Sequence, residues 1–185
     1  MTILPIETPD NPILRKKARP ITTFGSDLQI LIDDMIETMR EANGVGLAGP
    51  QVNQSLRLTV VETLPEHDEE GNQIEGSREL FVLINPEIAW SSRKMVDGIE
   101  GCLSIPGWIG EVARHEGIRV RALDRHGKKI RMRLADWTAR IVQHEIDHLN
   151  GVLFIDRLTD PDNFWREEDY FAEQDGVAQE EIPLG

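Results

Sequence analysis

A single cysteine, Cys102, rules out an internal disulfide and suits a reducing compartment. No apolar run is long enough to span a membrane, and no charged-then-apolar leader opens the chain. No internal repeat or long linker divides the sequence, and 185 residues are enough to bury one full core. Positive charge is scarce. Only 20 Lys and Arg stand against 33 Asp and Glu, for a net charge of −13. No Lys/Arg-rich stretch stands out to offset repulsion from phosphates, so direct nucleic-acid binding is not expected. The glycine-rich run 44–51 lacks the Gly-Lys-Ser/Thr of a phosphate loop and does not open a helix as a dinucleotide fingerprint would. These absences together point to a soluble, cytoplasmic, single-domain protein with no membrane partner.

The elements that are present follow in a simple order. Residues 3–20 are rich in proline and polar turns and read as an extended arm with one short turn. A helix follows, with Ser26 as its N-cap, and Leu28, Leu31, Ile32, Met35, Ile36 and Met39 fall at the spacing of one apolar face. Asn43-Gly44 stops it. Strands are expected at Arg57–Glu62, Glu79–Asn85, Ile118–Leu123 and Lys129–Leu134. The last two join through a hairpin turn containing His126, and His115 reads as a loop residue. The polar segment between Pro65 and Ser77 reads as a surface loop in which His67 is solvated. A second helix, from Asp136 or Trp137 to Asn150 with Gly151 past its end, carries Trp137, Ile141, His144 and His148 on one side. Val142, Ile146 and Leu149 lie on another, so this helix should be buried with sheet around it. The fold expected is α+β, with mixed or antiparallel sheets packed around a buried central helix. Residues 1–174 would form one catalytic domain and 175–185 an acidic, mobile tail.

The densest chemistry lies in that second helix, in His144-Glu145-Ile146-Asp147-His148. Histidines four apart on a helix share a face and can bind one metal, and the adjacent glutamate can take a proton from a water there. A catalytic site of this kind needs a third protein ligand and one open position. A metzincin protease would place a third histidine three residues after Gly151, where this chain has Phe154. A gluzincin-type protease would use Glu167 or Glu168. Cys102, in Glu100-Gly101-Cys102-Leu103-Ser104, offers a thiolate instead. A structural site in a non-catalytic binding module would need a fourth ligand, and no fourth stands in motif context.

Three segments together resemble the peptide deformylase family: Gly44-Val45-Gly46-Leu47-Ala48-Gly49-Pro50-Gln51, Glu100-Gly101-Cys102-Leu103-Ser104 and Gln143-His144-Glu145-Ile146-Asp147-His148. The resemblance runs from about residue 3 to about 158, leaving out 62–79 and the acidic tail. It implies Cys102, His144 and His148 as metal ligands, Glu145 as general acid/base, and Gln51 with the Leu103 N–H as oxyanion stabilisers. It also implies hydrolysis of the formyl group from formyl-methionyl peptides and nascent chains, with release of formate and transient proximity to the ribosome. Fe²⁺ is the metal implied, with zinc, nickel or cobalt as substitutes. Val45, Trp137 and Ile141 are candidates for an apolar methionine pocket, and Gly46 for a strand edge that grips the peptide backbone. One departure is Gly49, where the family usually has alanine. It carries no catalytic atom and bears only on substrate fit.

Overall fold

The computed structural model describes residues 2–65, 68 and 70–180, with side chains described up to residue 173. His67 lies outside the described residues. The arm carries one short 3-10 turn, Pro12–Arg15, in which Asn11 Oδ1 accepts from Ile13 N at 3.0 Å. Helix α1 spans Ser26–Glu41. Its N-cap is Gly25, not Ser26. Gly25 is extended and its carbonyl accepts from Gln29 N, while Ser26 Oγ turns to Asp27 Oδ1, 3.3 Å away. The stop falls at Asn43-Gly44, where Asn43 takes φ 53° and Gly44 N donates back to Met39 O at 2.8 Å.

Eight strands follow in two antiparallel sheets: β1 Gly46–Ala48, β2 Leu58–Glu62, β3 Leu80–Ser91, β4 Met95–Cys102, β5 Ile105–His115, β6 Gly117–Leu123, β7 Lys129–Ala135 and β8 Phe164–Arg166. Five of them form one sheet in the order β1-β2-β3-β6-β7, and the other three pair as β4-β5-β8. Helix α2, Asp136–Leu149, follows β7, and α3, Glu167–Glu180, follows β8. The chain from 175 to 180, read as tail, thus continues the backbone of α3, and 181–185 lie outside the described residues.

β3 runs past the expected end at Asn85 because the chain bulges there instead of turning. Asn85 adopts φ 50°, and the register with β6 shifts between Ile84 and Glu87. A bulge tolerates Pro86, which has no N–H to give to a ladder. The bulge also turns the Asn85 amide onto the arm, where it accepts from Ile21 N and donates to Ile21 O, both at 2.8 Å. His115 is the last residue of β5 rather than a loop residue, with Nδ1 2.8 Å from the Ser92 carbonyl.

Three larger apolar clusters among the described residues hold these layers, beside a small one of Ala18, Ala48 and Leu149. α1 packs Ile32, Met35 and Met39 against Leu47, Leu58, Val60 and Ile84 on one part of the five-stranded sheet. α2 packs Ala139, Ile141, Val142 and Ile146 against Val61, Leu83, Ile118, Val120 and Ala122 on its neighbour. Leu14, Ile105, Val112, Leu153 and Phe154 close the other side. Every residue of α2 from Ala139 to Leu149 is buried, polar ones included. A helix so enclosed holds its side chains in fixed positions, which is what a metal or catalytic site requires.

Candidate active site

His144 and His148 come from adjacent turns of α2, and Cys102 comes from the end of β4, where the β4–β5 hairpin turns through Leu103-Ser104. His148 Nε2 lies 3.2 Å from His144 Nε2 and 3.3 Å from Cys102 Sγ. The three donor atoms all lie within 4.8 Å of one another. Tetrahedral ligands at Zn–N of about 2.0 Å and Zn–S of about 2.3 Å would stand roughly 3.3–3.6 Å apart, so the set fits a single transition-metal ion. Neither Glu167 nor Glu168 joins this group among the described residues. Both are exposed at the start of α3.

One of the two histidines is tightly oriented. His144 Nδ1 lies 2.9 Å from Glu100 Oε2, an arrangement that turns Nε2 toward Cys102 and His148. His148 Nδ1 is buried and has no hydrogen-bond partner among the described residues. Glu100 is itself clamped. Arg114 Nε and Nη2 each donate to its carboxylate at 2.9 Å, and Arg140 Nη1 donates at the same distance. Arg114 reaches on to Asp147, which also pairs with Arg157. Burial alone would raise the Glu100 pKa, but His144 and Arg114 outweigh it and hold the carboxyl down at about 2. Burial likewise works against charge on both histidines. His144 is nonetheless raised, because Cys102 and Glu100 face it, while His148 is lowered by burial and then by the charge on His144. Metal binding needs a bare ring nitrogen on each histidine and a thiolate on Cys102, so loading competes with protons.

Glu145 lies beside this cluster, its carboxylate over Gly46. A Cβ at Gly46 would overlap Glu145 Oε1 and come within 2.8 Å of its Cδ. Thr59 Oγ1 stands 3.3 Å from Glu145 Oε2 and 3.0 Å from the Leu47 carbonyl. Burial pushes Glu145 up to about 7, against the opposing charge of His144 and the Thr59 hydroxyl. A carboxyl with a pKa near neutrality can both take and return a proton. The Gln51 amide is fixed too. Its Oε1 accepts from Ala48 N at 2.8 Å, so Nε2 faces inward, 3.6 Å from Cys102 Sγ and 3.2 Å from Ser104 Oγ.

A cavity of about 80 Å³ opens onto this arrangement, and its lining includes Val45, Gly46, Gln51, Cys102, Leu103, Trp137, Ile141, His144 and Glu145. The candidates from distant parts of the chain thus meet at one place. His148 stands behind that lining, and Trp137, 46% exposed, stands at its rim. Sequence reasoning gave no role to Arg114, Arg140, Asp147 or Thr59. It quoted Glu100 only as part of a motif.

The sequence profile of the polypeptide deformylase family matches residues 3–164. This chain belongs to that family. A peptide deformylase of Symbiobacterium thermophilum is 49% identical over 159 residues, covering 86% of this chain and 68% of that protein. The crystal structure of peptide deformylase from Thermus thermophilus is similar at a TM-score of 0.76 and 41% identity, covering 95% of this chain and 94% of that one. A Met-Ala-Ser-bound class I type b peptide deformylase from Acinetobacter baumannii gives a TM-score of 0.75 at 37% identity, covering 85% of this chain and 99% of that one. As a deformylase, the chain is a hydrolase that removes the formyl group from the N-terminus of nascent polypeptides. The α+β architecture is that of deformylase structures, and no described helix is long and apolar enough to cross a membrane.

Proposed function

We propose that Cys102, His144 and His148 hold the metal of this deformylase, that the ion is Fe²⁺, and that Glu145 moves the proton. The observation that carries this reading is the convergence of the three donor atoms beside a buried carboxylate, at a small cavity that Cys102, His144 and Glu145 line. A Cys/His/His site leaves one coordination position for water or substrate, and the ion supplies Lewis acidity that eases deprotonation of water. Iron, zinc, nickel and cobalt all suit this donor set, and the ferrous assignment rests on family resemblance.

The remaining steps belong to the chain's own side chains. Glu145 accepts the proton of the attacking water as its oxygen bonds to the formyl carbon. The oxygen of the formyl group then carries negative charge, and Gln51 Nε2 with the Leu103 N–H stabilises it. When the C–N bond breaks, Glu145 returns the proton to the departing nitrogen, leaving formate and a free amine. Ala48 N positions Gln51 for this role, so the donor is in place before substrate arrives. Val45, Ile141 and Trp137 receive the methionine side chain, and the edge of β1 at Gly46 pairs with the peptide backbone. Met-Ala-Ser bound to the Acinetobacter relative begins with the methionine that deformylation would expose, which supports a formyl-methionyl substrate.

The enzyme would act in the cytoplasm, near the ribosome, with residues 1–174 sufficient for catalysis and 175–185 dispensable. Glu145→Gln tests the proton role. It should keep the metal, measured by elemental analysis, while turnover of a formyl-Met peptide falls by about 10²–10⁴-fold. Near-wild-type formate release, or loss of the metal, would overturn the assignment. Cleavage of internal peptide bonds without formate would favour the protease reading instead.

A further inference from the structure

The outer face of the five-stranded sheet, turned away from α2, carries a concentration of positive charge that the net charge of −13 conceals. β6 and β7 pair with Arg119 opposite Arg133 and Arg121 opposite Arg131. Side chains alternate along a strand, so Ile118, Val120 and Ala122 point to the core and all four arginines point outward. Lys129 continues the row across from Leu123. On β3, Trp90 stands opposite Arg119, is 50% exposed, and has the Arg119 guanidinium 5.1 Å from its ring centre. Glu87, opposite Arg121, is the one acidic neighbour in register. Among the described residues, none of the four arginines forms an ion pair.

Like charges placed directly opposite each other weaken a sheet. Two such pairs side by side, beside an exposed tryptophan, are a cost the fold does not need. Protecting the edge strand β7 against aggregation explains charge on β7 alone, and lysine serves that purpose. It does not explain Arg119 and Arg121 on the interior strand β6, nor Trp90. Arginine is the side chain that grips phosphate by two parallel hydrogen bonds, and outward positions two apart on a strand repeat at about 6.8 Å. Two neighbouring cross-strand pairs of phosphate donors with an aromatic face beside them are the chemistry of single-strand recognition on a sheet. A shallow groove of about 530 Å³ lies over Trp90, Arg119, Arg121, Arg131 and Arg133.

We propose that this face binds single-stranded RNA, with the four arginines on its phosphates and Trp90 stacked on a base. The site is separate from the cavity at Glu145, so peptide turnover and RNA binding are independent activities of one chain. An RNA grip of this kind would keep the enzyme close to the machinery that produces its substrates.

The test is fluorescence anisotropy of the full, metal-loaded chain with a labelled mixed-sequence RNA of about twelve nucleotides. Binding is expected with a dissociation constant on the order of 10⁻⁵ M at low salt, and a log–log salt slope of about −3 for four phosphate contacts. The double variant Arg131→Gln/Arg133→Gln should reduce the slope to about half. Trp90→Ala should weaken binding by about 5-fold or more with the slope unchanged. Formyl-peptide turnover should be unaffected in each variant, and the melting temperature of the double variant should not fall, since two like-charge oppositions are relieved. If that temperature does fall, the arginines are structural and the proposal fails on that pair. Arg119→Gln on β6 then repeats the RNA measurement. No binding at low salt, unchanged binding in the variants, equal binding of poly-glutamate or polyphosphate, or displacement by free AMP at matched nucleotide concentration would each overturn the RNA assignment.

Discussion

The two sheets of this molecule are built on different physical terms. Along β6 of the five-stranded sheet, buried Ile118, Val120 and Ala122 alternate with exposed Arg119 and Arg121, and the inward set packs on α2. Along β4 of the three-stranded sheet, the only fully buried residue is Glu100, a carboxylate. Gly98 makes room for something other than apolar packing. A Cβ at Gly98 would stand 2.9 Å from the Arg140 guanidinium, which donates to the carbonyls of Val96, Gly98 and Val112. One sheet stores its stability in hydrocarbon. The other holds a buried charge network that aims a histidine and delivers a cysteine. Chemistry that needs fixed charges is thus kept next to, but apart from, the packing that stabilises the fold.

Replacing one residue in each sheet should separate these roles. The largest effect is expected from Glu100→Gln, which leaves Arg114 and Arg140 short of a buried counter-charge and frees the His144 ring. Stability should fall by about 4 kcal/mol, and metal affinity by about 10–100-fold. Chemical denaturation and competitive chelation read the two losses separately. A loss of stability with metal affinity unchanged would mean that Glu100 does not orient His144. Leu83→Ala, in the core of the five-stranded sheet, should cost about 3 kcal/mol, yet leave turnover per folded, metal-loaded molecule as it was. A fall in that turnover would show that the two sheets are not separable.

The smallest effect belongs to Glu62 at the end of β2. Its hydrogen bond with Arg40 lowers the Glu62 pKa below the ordinary carboxylate value, against the opposing effect of burial. A depressed carboxyl contributes stability that is complete above the unfolded pKa of about 4.5 and is lost as pH falls through the folded value. Arg40 is about half exposed, so the contribution should stay below about 1 kcal/mol. Urea midpoints of wild type and Glu62→Gln should differ at pH 7 and converge below pH ~4.5. A gap that stays constant with pH would assign the effect to packing.

The same contrast explains what could be read from the sequence. Four strands and the helices α1 and α2 were legible as runs and stripes of apolar residues, because each packs apolar side chains into a core. β4 and β5 did not. Gly98, Gly101, Gly107 and Gly110 interrupt them, and their inward positions include Glu100 and Arg114. The positions that meet at the cavity were legible because the helix fixes the spacing of His144, Glu145 and His148, and the glycine and cysteine segments are recognisable alongside it. Their supporting partners were not. Arg114 to Glu100 and Arg140 to Glu100 are pairings between segments whose proximity only the fold creates. The arginine face was within reach. The β6–β7 hairpin was expected, and writing out its register would have set Arg119 against Arg133 and Arg121 against Arg131. Net charge, being a sum over the whole chain, hid it.

Gly46 offers no side chain, yet it restricts how the enzyme could escape an inhibitor. The Glu145 carboxylate occupies the space that any side chain at 46 would need. Even alanine, the smallest replacement, would have to push the Glu145 carboxylate out of place. A compound that rests against the backbone at this position would therefore leave the target no substitution there that excludes the drug and keeps the activity. Selection for resistance would have to act elsewhere around the cavity, on side chains such as Val45 or Ile141.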